Sequence, residues 1–128
     1  MHGSDKLQKP IPREAALLFL RLIEAADEDR EKPMTRVRLA EITLKRLWNR
    51  ERLGEPFLGE VSEWLLTAGW ALIFAGSTYA AVQVDAVENW PAVSSKRISD
   101  EIEAAAAGRY DFSKLEHLFR RAVVRDQE

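Results

Sequence analysis

The sequence predicts a mainly helical α+β protein. Three features carry that reading: several segments repeat apolar residues every three to four positions, two strand-length apolar runs flank Gly76-Ser77, and the 128 residues include no cysteine. The first is the period of an amphipathic helix and the second that of a hairpin. The third leaves an ordinary hydrophobic core as the source of stability, which a chain of this length can build.

Residues 1–11 read as a tag remnant and flexible lead-in, because Gly3 and Pro10 interrupt any regular element. Residues 12–128 read as a single domain. Pro12 suits the first turn of a helix running to about Ala26, with Ala16, Leu17, Phe19, Leu20 and Ile23 as its apolar side. The acidic run Asp27, Glu28, Asp29, Glu31 lacks the order of a calcium loop and reads as a solvated turn, closed by Pro33. A second helix is expected from about Thr35–Arg38 to Asn49, packed through Val37, Ala40, Leu44, Leu47 and Trp48; Thr35 to Leu39 also alternates like a short strand.

A third helix opens at Pro56 and buries Phe57, Leu58, Val61, Trp64, Leu65 and Ala68. Gly69 is placed to end it in the left-handed conformation, with Trp70 as the following apolar contact. The runs at 70–75 and 78–84 form a hairpin around a Gly-Ser type II′ turn. Asp85 and Glu88 are spaced as a capping box for one short turn. Two further helices are expected, one capped by Ser94 or Ser95 and closed by Gly108, the other opened by Ser113 with Glu116 and packed through Leu115, Leu118, Phe119, Ala122 and Val123.

The order of helix, optional short strand, helix, helix and hairpin over about residues 12–84 resembles a winged helix-turn-helix domain. The phrases that carry the likeness are RLAEI in the second helix, EWLLTAGW at the end of the third, and ALIFAGSTYAAVQV as the wing. The resemblance implies a winged-helix-like core of three helices and a hairpin, with residues 85–128 as an extension of two C-terminal helices. It also implies DNA binding and transcription regulation, with the third helix in the major groove and the wing on flanking backbone.

Charge distribution complicates that implication. The net charge of -2 conceals seven cations from Lys32 to Arg52 against Glu41 and Glu51, followed by no Lys or Arg from Leu53 to Ser95. Affinity for DNA depends on neutralising phosphates. The solvent face expected for the third helix instead carries Glu60 and Glu63. DNA contact would therefore fall to a basic second helix and its surroundings, with Arg36, Arg38, Lys45, Arg46, Arg50, Arg52, Lys96 and Arg97 as phosphate ligands. Its alternative is a protein-interaction or dimerisation module that binds no nucleic acid and uses Ile73, Tyr79, Glu60 and Glu63, since the hairpin is apolar on both faces. Either the chain's own C-terminal helices or a partner would cover the second face.

No catalytic set is legible. The chain has no Gly-rich phosphate loop, no HExxH and no nucleophile elbow, and its serines at 94, 95, 99 and 113 sit where helix caps belong. With two histidines and no cysteine, no metal site or cofactor is expected, and no small-molecule substrate is evident. His117 reads as a surface residue, and the tryptophans at 48, 64 and 70 as core. The absence of a signal segment and of a membrane-length apolar run leads to an expectation of a cytoplasmic protein without a membrane partner.

Overall fold

The computed structural model describes residues 8–120, so Ala122 and Val123 of the last expected stripe lie outside the described residues. The fold is α+β with helix predominating. Its contacts separate into two units divided between Trp90 and Pro91.

The first unit begins with α1, Pro12–Asp27. Proline is harmless at a first helical position, and the Glu14 carboxylate accepts the Ile11 N–H at 3.1 Å, satisfying one of the donors a helix start leaves open. Ala15, Ala16, Phe19 and Ile23 form its buried face, whereas Leu17 is half exposed, so the helix lies on the core instead of inside it. Asp27 then accepts the Met34 N–H at 2.9 Å and ties off the acidic turn.

The second helix starts later than expected, because its alternating lead-in is strand β1, Arg36–Ala40. The strand reading wins through pairing: β1 runs antiparallel to β3, Thr78–Gln83, with Arg36 opposite Val82 and Leu39 opposite Tyr79. Helix α2 is only Glu41–Leu47. It ends in a Schellman arrangement in which the Arg50 N–H donates to Lys45 O at 3.0 Å, with Asn49 left-handed at φ 50°.

Helix α3, Glu55–Thr67, buries Val61 and Leu65 fully and Phe57 and Leu58 in part. Trp64 and Ala68, expected inside, are exposed because the buried stripe is one residue wide at this end. Gly69 ends the helix at φ 88°, and Trp70 follows it into the core. Strand β2, Trp70–Ala75, pairs with β3 through a two-residue turn. Gly76 has φ 70° and Ser77 does not share the positive φ, as a type II′ turn requires. Sheet order is β1-β3-β2, with β3 central. The face carrying Val37, Leu39, Leu72, Tyr79 and Ala81 joins the helices in one core. A short α4, Val84–Val87, follows from an N-cap at Gln83, so the Asp85/Glu88 capping box is not formed.

The second unit holds α5, Ser99–Ala106, entered through a 3-10 turn at Lys96–Ile98. Ser94 Oγ accepts the Lys96 N–H at 3.1 Å. A second 3-10 turn, Phe112–Leu115, is capped by Asp111 and not by Ser113; the Asp111 carboxylate accepts from the Ser113 hydroxyl and, second, from the Ser113 N–H, and these bonds hold its pKa below the usual range. Leu118 and Phe119 are exposed.

Trp48 is fully buried at the meeting of the three helices, and its indole N–H donates to Ala15 O at 2.9 Å. Replacing Trp48 with phenylalanine removes that bond and leaves a void, and is expected to cost about 2 kcal/mol in urea unfolding, against about 2–5 kcal/mol for Leu65→Ala. An exposed control, Leu66→Ala, is expected to cost well under about 1 kcal/mol in the same titration.

Candidate nucleic-acid interface

The C-terminal end of α2 turns sharply at Asn49, and this turn gathers cations that are spread along the sequence. Lys45, Arg46, Arg50 and Arg52 line one concavity of about 780 Å³ together with Ile42, Asn49, Glu51 and Lys9. Lys9 comes from the lead-in, which is fastened at this point: Asn49 Nδ2 donates to Gln8 O at 3.2 Å and Arg50 Nη2 to Pro10 O at 3.0 Å. Residues 8–11 are therefore part of the folded unit and not a free leader. Lys9 was missed by the sequence reading because a proline-flanked lysine carries no periodic signal, and only the distant Asn49 and Arg50 place it.

The four α2-end cations differ in what they can offer a ligand. Arg46 and Arg52 are exposed, and among the described residues neither has an ion-pair partner. Lys45 is half buried and lies 3.6 Å from Glu41, one helical turn back. Arg50 is committed to the fold. Its guanidinium lies over the Phe57 ring at 3.6 Å, its Nη2 is bound to Pro10, and its Nε is buried without a partner. Its charge adds to the field of the concavity while its donors hold the lead-in in place.

The other expected phosphate ligands are elsewhere. Arg36 and Arg38 lie on strand β1, on its exposed face, because an antiparallel edge strand turns alternate residues outward. This corrects their assignment to a second helix. Lys96 and Arg97 belong to the 3-10 turn of the second unit, where they share a shallow depression with Asp100 and Glu101.

The residues of the alternative surface also separate. Glu60 and Glu63 are exposed on α3, and Ile73 is half exposed on the outer sheet face. Tyr79 is buried at 5% exposure, since odd positions of β3 point into the core; it cannot serve as the protruding contact residue expected of it. Phe74, whose ring packs 4.9 Å from that of Tyr79, is the exposed aromatic of the hairpin at 63%.

Among the described residues no group of histidines and carboxylates could hold a metal ion, and no helix is long and apolar enough to cross a membrane. Comparison with protein-family models, with curated proteins and with solved structures finds no match.

Because Arg50 ties the lead-in to the core, Arg50→Met, which keeps the alkyl stem, is expected to destabilise the protein by about 1–3 kcal/mol. Hydrogen exchange should then speed at the Ile11 amide, which the Glu14 carboxylate holds, by more than the uniform acceleration that the lost stability gives β2 and β3. Equal protection of the lead-in in both proteins would mean that Arg50 does not anchor it.

Proposed function

We propose that the first unit is a winged-helix module that binds nucleic-acid phosphates through the basic concavity at the end of α2, without catalysis, as a small regulatory protein of the cytoplasm. The element order α1-β1-α2-α3-β2-β3 and the sheet order β1-β3-β2 support the winged-helix reading. The observation that carries the binding reading is the convergence of Lys9, Lys45, Arg46 and Arg52 around one concavity. Such a cluster concentrates positive potential where a phosphate backbone can lie, and displaced counterions supply the affinity.

The mode differs from insertion of the third helix into the major groove. That helix exposes Glu60 and Glu63, and the hairpin has no cation. Glutamate accepts from cytosine at best and repels the backbone beside it. Contact through the α2 end would be dominated by phosphates, and so would discriminate weakly among sequences.

Fluorescence anisotropy with a labelled random duplex of about 20 base pairs tests this. Neutralising three to four phosphates gives an expected slope of log K against log salt of about -3. Arg46→Glu with Arg52→Glu is expected to abolish binding, whereas Arg36→Glu with Arg38→Glu, outside the concavity, should change it far less. Undetectable binding at 20 to 50 mM salt would overturn the proposal.

A further inference from the structure

A second concavity, of about 500 Å³, opens between the start of α3 and the inner face of the hairpin. Its floor is apolar, built from Leu53, Leu58, Leu72 and Phe74 over the buried Tyr79. Two carboxylates stand on its rim, Glu41 from α2 and Glu55 from α3. Glu41 is shared with Lys45, but Glu55 has no ion-pair partner among the described residues. Glu41 also acts on Tyr79, whose phenol is held above its ordinary pKa by burial first and by that negative charge second. No residue of this lining belongs to the basic concavity.

Gly59 is the independent observation that points to an occupant. It lies inside α3, where glycine is among the least favourable residues, and it lines the groove. Nothing in the fold requires it: its φ is not in the left-handed region, and a Cβ built there meets no atom within 4 Å. Alanine would fit and would strengthen the helix. A missing side chain on the wall of an apolar groove is what close approach by another chain needs.

We propose that this groove receives a short cationic amphipathic segment of a partner protein, which lays an aromatic or aliphatic side chain against Phe74, Leu58 and the Gly59 backbone and sets Lys or Arg against Glu41 and Glu55. Charge selects the class: with no cation from Leu53 to Ser95, and with Glu60 and Glu63 on the same helix, an acidic segment or a phosphate backbone is repelled here. An amphipathic helix read through anchors spaced three and four apart matches such a groove.

The test is a synthetic array of amphipathic 12-residue peptides with identical apolar anchors and Lys/Arg, Gln or Glu on the flanks, probed with the full chain at physiological salt. Signal confined to the Lys/Arg set is expected, and hits should shift the amide resonances of Gly59, Leu72 and Phe74 in a labelled sample. Glu55→Lys should weaken the hits at least tenfold. Gly59→Ala should raise the melting temperature while weakening the same peptides, a combination that loss of folding cannot produce, and the duplex-binding assay should be unchanged in Gly59→Ala, so that this reading and the nucleic-acid reading stand or fall separately. Equal signal from all three charge classes, no signal from any, or full affinity in Gly59→Ala would overturn the proposal.

Discussion

The indole of Trp48 is the constraint on which the rest of the first unit depends. It is fully buried at the end of α2, its N–H is satisfied by the Ala15 carbonyl of α1, and its ring meets the edge of Phe57 at the start of α3. One side chain thus fixes three helices at once, and burying it without the Ala15 acceptor would leave an unpaired N–H at a cost of about 1–3 kcal/mol. Leu44, Phe19, Val61 and Leu65 fill the space around it. Because Trp48 is the last residue before the left-handed turn at Asn49, it also determines where Arg50 and the lead-in must lie.

From that arrangement the charge pattern acquires a spatial meaning. The loop leaving Trp48 carries Arg50 and Arg52 toward the basic concavity, and the next residue, Leu53, already faces the acidic groove. Helix α2 is similarly divided, with Glu41 at one end and Lys45 and Arg46 at the other. Two concavities of opposite charge therefore adjoin across a few residues. A near-neutral net charge is what such a division produces, and so it says little about either surface.

The elements governed by local chemistry were legible in the sequence. Pro12 at a helix start, Gly69 at a helix end and Gly76-Ser77 at a hairpin turn each act within a few residues, and each appears where expected. What was ambiguous or misread depends on distant partners. Thr35 to Leu39 carries both a helical and a strand pattern, and only pairing with Tyr79 to Val82 decides for the strand. Trp64 has the spacing of a core residue, yet the α1 residue beside it is Arg13, whose guanidinium lies 5.8 Å from its ring, so it remains at the surface. The candidate site divides in the same way. Lys45, Arg46 and Arg52 were readable as a cluster, but Lys9 joins them only through hydrogen bonds to Asn49 and Arg50, and Arg50's commitment to Phe57 could not be read from its sequence neighbours.

The sheet order has a consequence for how the protein emerges from the ribosome. Strand β1 has no partner until β3 exists, because β2, although nearer in sequence, lies on the far side of β3. Through the synthesis of α2, α3 and β2, the β1 backbone waits without the strand it pairs with. A long sequence separation between paired strands slows folding, and in this chain it also sets an order of events. Until Gln83 has left the exit tunnel both edges of β1 are unpaired, and one stays so in the finished sheet; the two arginines on that strand, Arg36 and Arg38, are the kind of charge that keeps such an edge from pairing with the wrong chain.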